Sequence, residues 1–388
     1  MYKVTLFMKV VKLIPRNRFS VLKSQYNMDK RVKYFDTWTQ LLVHLYSAFT
    51  QKSSIRPLLD SFNQLQSSFS HLNVKDAVRR STFSDANNHR DFNFFKELFE
   101  SIYQTYRPHL TGKVKNKIQR QVNIIDSTFF NLSQNLSSWA FENLKGKNRY
   151  QQGSRLHCLF DVNAAIPRDI VIDRGNISDI KIAHNLSYHA GEIYIGDRGY
   201  FSFKWFHQIK EAKAYFVTRE KHFEYEIIEQ RIPNQENVIR DDIIHPIGKK
   251  SGQNYHGLLR MITYYDPDSE KELTFITNIF EYAAKTIADL YKIRWQIEIF
   301  FRELKHYLKL RSFLGNSKSA IAIQVYAYAI AYILLKVFAK LNASGLQWYR
   351  LLELVRSFTN MTFDFKNNHI HKNVFKFNQN QFNLDFKT

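Results

Sequence analysis

Between Leu290 and Leu310 the apolar and polar positions separate onto two sides of a helix. At about 100° per residue, Ile293, Ile297, Phe300, Leu304 and Leu308 fall within roughly 80° of one another, and Tyr291, Arg294, Glu298 and Lys305 within roughly 60° elsewhere. The spacing predicts one continuous helix with a core side and a working side about 21 Å long, too long for a single small-molecule contact. Upstream, Leu41, Leu42, Leu45 and Phe49 keep helical spacing, and Ser53 or Ser54 stands where an N-cap would open a second helix. Thr82-x-x-Asp85 marks the start of another.

From Val122 the pattern changes to short β runs: VNIID ending at Asp126, RLHCLFDV, DIVIDRG, EIYIGDRGY carrying Asp197, and AYFVTRE. Helices are expected over NISDIKIAHNLSYHA and over Phe201 to Glu211. The order β-β-β-α-β-α-β predicts an α/β sheet that starts as a meander and turns parallel. Further β-rich runs, separated by turn signals, continue to LTFITN as an all-β insertion. The chain therefore divides into a helical basic region (1–120), the first part of an α/β core (121–221), a β-rich insertion (222–280), the Leu290–Leu310 helix with its apolar successor (281–340) and a C-terminal region (341–388).

Charge narrows the class of partner. The 388 residues hold 56 Lys and Arg against 35 Asp and Glu, a net charge of +21, which points to a polyanion. Nucleic acid fits best, because the charge is spread along the chain and interleaved with 33 Phe and 22 Tyr; a basic membrane-surface protein is the alternative. Residues 1–35 carry nine basic side chains and one acid. Arg79, Arg80, Asn87, Asn88, His89 and Arg90 surround the Thr82 pattern, as in a helix that reads the major groove, although a plain helical bundle explains them equally well. Lys9 and Lys12 interrupt the apolar N-terminus and no small-residue cleavage site follows, so export is not expected. The 16-residue apolar run from Ala320 to Leu335 spans about 24 Å as a helix against a hydrocarbon core of ~30 Å, and reads as a buried core helix. Cys158, the one cysteine, allows no internal disulfide and implies a reducing cytoplasm.

Two aspartates at the carboxyl ends of strands are where open α/β sheets place their sites. With the first strand beside the fourth, Asp126 and Asp197 become neighbours, and Glu298 supplies a third carboxylate. Clustered carboxylates need a cation, and oxygen-only ligands select Mg2+ or Mn2+, two ions activating the attacking oxygen and stabilising the leaving one in a displacement at phosphorus. Tyr291, Arg294 and Lys305 would then hold a phosphate backbone on both sides of the reacting phosphate. The same residues also fit a solvated face whose Arg294–Glu298 pair adds a few tenths of a kcal/mol. Asp161, Asp173 and Asp179 read as turn-closing and helix-capping residues, and His157 as a buried residue of a core strand. The histidines show no zinc spacing, and no glycine loop cradles a phosphate, so no nucleotide cofactor is expected.

Tyr291-x2-Arg294-x3-Glu298-x6-Lys305 resembles the Y-(2)-R-(3)-E-(6)-K pattern of bacterial insertion-sequence transposases of family 4, within the DDE group. IIDSTFF and GDRGY stand where that family carries its two aspartates, and DTWTQLLVHLYSAFTQKSSIRPL, RSTFSDANNHRDF and TFITN resemble its other regions, so the likeness spans nearly the whole chain. It implies a ribonuclease-H-like core, catalytic and metal-binding roles for Asp126, Asp197 and Glu298, and cleavage and strand transfer through a 3′-OH, commonly by way of a hairpin. It further implies a homodimer bridging two element ends, on terminal inverted repeats and target DNA, in a bacterial cytoplasm beside the nucleoid. Arg219 in VTREK resembles a basic position of the family near the DNA end. The rival readings are a nuclease of the same fold that cuts without joining, and a domesticated DNA-binding protein that has lost catalysis.

Overall fold

The computed structural model describes residues 5–111, 118–132, 141–143, 150–175, 177–248, 255–342 and 348–357. The described residues form two compact units, one drawn from 5–111 and 302–357, the other from 118–132 and 141–301.

The first unit is helical: α1 (Leu6–Val11), α2 (Arg16–Gln25), α3 (Thr37–Thr50), α4 (Ile55–Asn63), α5 (Phe69–Leu72), α6 (Arg80–His89) and α7 (Phe92–Leu110) come from the N-terminal part of the chain. Asp36 caps α3 by accepting from the Thr39 amide at 2.8 Å, and Leu41, Leu42, Leu45 and Phe49 are fully buried, as their spacing predicts. Ser54 is the N-cap of α4, without a side-chain bond. At α6 the sequence pattern misleads: the residue with extended N-cap backbone is Arg79, so Thr82 and Asp85 lie inside the helix.

The same unit takes two later helices from the C-terminal part of the chain, with residue ranges Lys318–Asn342 and Trp348–Ser357, so residues 1–120 do not make it alone. The Lys318–Asn342 helix packs against α7 and α3, where the Tyr328 and Ser47 hydroxyls meet at 2.7 Å. It is longer than the Ala320–Leu335 run because polar residues at both ends continue the helix, and by length and apolar content alone it could cross a bilayer. Yet 94% of its most apolar window is buried inside the chain, which is the signature of a core helix.

The second unit is built on one mixed sheet: β1 (Val122–Asn131), β2 (Phe141–Asn143), β3 (Tyr150–Asp161), β4 (Ile166–Arg174), β5 (Ile193–Gly196), β6 (Tyr215–Arg219), β7 (Tyr225–Arg231), β8 (Val238–Pro246), β9 (Leu259–Asp266) and β10 (Lys271–Thr277). Neighbours run β2-β3-β1-β5-β6-β10-β9-β8-β7, with β4 on β3. The antiparallel run β4-β3-β1 continues as the parallel run β1-β5-β6, so the meander that turns parallel is present. The β-rich stretch does not form a sheet of its own. Its four strands extend the same sheet through the antiparallel pairing of β10 with β6.

Among the described residues between β4 and β5 only α8 (Asp179–Ala183) is helical, shorter than the fifteen-residue stretch expected there. Tyr188, in the non-helical remainder, packs its ring edge-on against Tyr194. After β5, α9 (Phe203–Glu211) lays Trp205, Phe206 and Ile209 on the sheet, with Phe206 stacked on Phe216 at 4.2 Å between ring centroids.

Candidate active site

The strand register brings the first two carboxylates together. β1 and β5 pair in parallel as far as Ile125 with Gly196, so Asp126 and Asp197 are the next residues on adjacent strands. Asp197 follows the last residue of β5, as expected. Asp126 does not end its strand: β1 runs on to Asn131 paired with β3 alone, and Asp126 marks the point where the partner on its other side stops. Asp197 accepts from the Gly199 amide at 2.7 Å, which turns the chain sharply into the next segment.

The Leu290–Leu310 stretch is two helices. Helix α10 (Ala284–Lys292) ends before helix α11 (Trp295–His306), and a tight turn at Ile293 and Arg294 joins them. The amides of Arg294, Gln296 and Ile297 each donate to the carbonyl three residues back, at 3.0, 2.9 and 3.2 Å. This tighter winding breaks the 100° progression, so Tyr291 does not belong to the face of α11. The Tyr291 ring instead packs on Phe275 of β10 at 4.8 Å, with the Arg294 guanidinium carbon 5.8 Å from its centre. Phe275 is the cross-strand partner of Arg219. Burial raises the Tyr291 phenol, the positive charges of Arg294 and Arg219 oppose that shift, and Asp197 adds to it. Tyr291, Arg294, Arg219 and Asp197 therefore share one neighbourhood.

Arg294 ties the third carboxylate to the first. Its Nη1 lies 3.2 Å from Asp126 Oδ2 and its Nη2 2.5 Å from Glu298 Oε1, and among the described residues its buried Nε has no hydrogen-bond partner. Asp126 is pushed up to about 7, first by burial and then by the charges of Asp197 and Glu298, against the Ser127 amide and Arg294, which lower it. Asp126 thus lies within electrostatic reach of both other carboxylates. Even so, no group of three His, Cys, Asp or Glu side chains among the described residues closes on one ion position. The two observations agree once Arg294 is included, because its guanidinium lies between Asp126 and Glu298 and supplies the positive charge. The donor set, all carboxylate oxygen, fits a hard divalent cation.

Lys305 lies on the last turn of α11, among the residues of the helical unit, where burial and the nearby Arg311 lower its ammonium. In the same unit Arg79 and Arg80 are exposed at the start of α6, Arg79 lining a cavity of about 940 Å3 with Tyr34, Phe35, Val78, Thr82 and His89. Arg90 is placed otherwise than as a DNA contact. It donates to Gln40 Oε1 at 2.9 Å and to the Phe35 carbonyl, lies 3.9 Å from Asp29, and stacks on the Phe35 ring. Asn87 is buried as well, accepting from Gln40 at 2.7 Å.

The sequence offered no sign of a second network beside Asp126. Ser127 Oγ donates to Asp179 Oδ1 at 2.6 Å, and Arg155 and His157 each come within 3.4 Å of the same oxygen. Asp179 was expected to cap a helix; Ser178 is the N-cap, and Asp179 anchors α8 to β1 and β3. Asp161 does close a turn, accepting from the Ala164 amide at 2.9 Å. His157 is buried and neutral, its imidazole lowered to about 4 first by burial. Only the β1–β3 register, which sets Ser127 opposite His157, would have revealed the cluster.

Family profiles and relatives agree with the resemblance to insertion-sequence transposases. The profile of the family described as Transposase DDE domain matches residues 117–334, and that of a domain of unknown function (DUF4372) matches residues 3–75. A Sinorhizobium fredii protein named as transposase y4zB is 34% identical over 277 residues, 70% of this chain and 75% of that one. A Synechocystis protein named as a transposase for insertion sequence element IS4SA is 27% identical over 312 residues, 77% of this chain and 83% of that one. A cryo-EM structure of the piggyBac transposase synaptic complex with hairpin DNA aligns with 91% of this chain and 79% of that one, at 11% identity and a TM-score of 0.45.

Proposed function

Because this chain belongs to the DDE transposase family, a family of enzymes that act on DNA, we propose that Asp126, Asp197 and Glu298 are its catalytic carboxylates. They would hold Mg2+ or Mn2+, in a two-metal site, for cleavage at element ends and strand transfer through the freed 3′-OH. The observation that carries this reading is the β1–β5 register ending at Ile125 and Gly196, with Arg294 linking Asp126 to Glu298. When bound, such cations activate an attacking oxygen and stabilise a leaving one at phosphorus.

The chain's own residues do the rest. Asp126 and Asp197, fixed by the sheet, keep their separation through the reaction, while Glu298 approaches from the first turn of α11. Arg294, Tyr291 and Arg219, grouped beside Asp197, orient the phosphodiester through charge-assisted hydrogen bonds. Lys305 and the exposed Arg79 and Arg80 contact further backbone phosphates. We read the β4-β3-β1-β5-β6 portion as a ribonuclease-H-like core, and the partners as terminal inverted repeats and target DNA bridged by a homodimer in a bacterial cytoplasm.

Precut duplex ends with a free 3′-OH, a target plasmid and magnesium test this reading. The wild-type chain should insert the ends covalently, whereas Asp126→Asn, Asp197→Asn and Glu298→Gln should each lose cleavage and joining by on the order of 10³-fold or more while retaining DNA binding. Lys305→Ala should damage joining more than nicking, by up to ~3 kcal/mol for the missing phosphate contact. Nicking without joining would leave the nuclease reading standing, and a Glu298→Gln variant with near-normal cleavage would remove the carboxylate assignment.

A further inference from the structure

Helix α2 follows α1 after a short connection, Lys12 to Pro15, of the length that joins the two helices of a helix-turn-helix reader. The first helix is almost wholly inside, with Leu6, Phe7, Met8, Val10 and Val11 buried. The second buries only Phe19 and Leu22. Phe19 meets Trp38 of α3 and Phe94 of α7 edge-on, at 5.2 and 5.3 Å between ring centroids, and this packing fixes which way α2 is turned.

At about 100° per residue, Ser20, Ser24, Asn17 and Val21 then share an arc of roughly 100° on the side away from the core. All four are exposed, Val21 by 56%. Arg16 and Arg18 stand on opposite flanks of that arc, the Arg16 guanidinium carbon 3.3 Å from the centre of the Trp38 ring. Lys12 before the helix and Lys30, Arg31 and Lys33 after it are exposed as well. The one acid between Thr5 and Phe35 is Asp29, which accepts from the Thr37 amide and hydroxyl and lies within 4 Å of Lys23 and Arg90. By contrast α6, whose sequence suggests a groove reader, exposes Asp85, buries Asn87 and bonds Arg90 to Gln40. An exposed acid repels a phosphate backbone, and α2 carries none.

We propose that the exposed face of α2 reads base edges in the major groove of duplex DNA and is the sequence-selecting surface of the helical unit. The Asn17 amide can bond adenine through both of its arms, the Ser20 and Ser24 hydroxyls can donate or accept, and the Val21 methyls suit the thymine methyl. Arg18, Lys12, Lys30 and Arg31 hold the phosphates on either side. A lipid surface, the other polyanion, calls for bulky apolar side chains on such a face, and the large hydrophobic that α2 exposes is Val21 alone. The proposal rests on the DNA-acting reading above, and it gives a task to the region that matches the domain of unknown function.

The test is selection from a library of randomised duplexes by the full chain, followed by binding isotherms on the enriched sequence and on a scrambled one. The variant combines Asn17→Ala, Ser20→Ala and Ser24→Ala, at exposed helical positions where alanine is the better helix former, so its melting temperature should equal or exceed that of the wild type. It should lose at least about tenfold of the preference for the enriched over the scrambled duplex while binding the scrambled one as the wild type does. Arg18→Ala should instead weaken both duplexes alike and reduce the salt slope by about 1. A triple variant that keeps the preference, or that loses equally on both duplexes, overturns the proposal. So does a wild type that binds duplex but enriches no sequence. A wild type that binds no duplex even at low salt removes the DNA-acting reading itself.

Discussion

The Arg294 guanidinium stands 3.2 Å from the Asp126 carboxylate, 168 residues earlier in the chain, and it reaches Glu298 with its other terminal nitrogen. A cation of the protein's own thus balances two of the acids proposed to hold a divalent ion. Arg294 and Asp126 are both mostly buried, with 14% and 17% of their side chains exposed, so desolvation makes the loss of one partner expensive for those that remain.

Arg294→Ala should therefore lower the metal-free stability by on the order of 2 kcal/mol, less than for a fully buried pair because Glu298 is 36% exposed. Magnesium or manganese should restore more stability to this variant than it adds to the wild type, because binding to the folded state alone shifts the unfolding equilibrium. Thermal melts with chelator and with each metal read both effects. A variant as stable as the wild type in chelator would show that the guanidinium does not balance the carboxylates.

Among the three arginines around α6, DNA affinity should depend on two. Arg79→Ala with Arg80→Ala should weaken duplex binding and flatten its dependence on salt, since removing two phosphate-binding cations reduces the slope by about 2. Arg90→Ala should instead lower the melting temperature, because it empties a site bonded to Gln40 and Phe35 and leaves Asp29 without a partner it now has. Binding isotherms at several salt concentrations, with melts of the same proteins, separate the two effects. A flattened salt slope for Arg90→Ala at unchanged stability would reverse the assignment.

The parts of the fold legible in the sequence are those governed by local period and by strand order. The short β runs that lead into Asp126 and Asp197, and the helical spacing of Leu41, Leu42, Leu45 and Phe49, needed no knowledge of distant partners. The break at Ile293 and Arg294 was hidden, because a three-residue hydrogen-bonding turn contains neither proline nor glycine and leaves the apolar spacing nearly intact. Arg90 was misplaced for a related reason: an arginine beside Asn and His looks like a surface reader until Gln40, fifty residues away, is known to face it. Ser127, Arg155, His157 and Asp179 form a cluster only through sheet register and the placement of α8, neither of which leaves a mark in the local sequence.

Acid should destabilise the helical unit through His44 before most carboxylates titrate. The ring is fully buried on α3, its Nε2 2.9 Å from the Asn87 Oδ1, while Nδ1 has no partner among the described residues. Burial lowers its pKa to about 4, and the Asn87 hydrogen bond only partly opposes that. An unfolded histidine titrates near 6.5, so between these values the unfolded chain binds a proton that the folded chain refuses. The contribution is fully present above about pH 6.5 and is lost as pH falls towards 4, by about 2 kcal/mol at pH 5 and about 3 kcal/mol at pH 4, at ~1.36 kcal/mol per pH unit. His44→Gln keeps a side-chain donor near Asn87 but cannot charge, so its stability should fall less steeply across this window. Urea melts of both proteins between pH 7 and pH 5 measure the difference, and parallel curves would show that His44 does not carry the acid sensitivity.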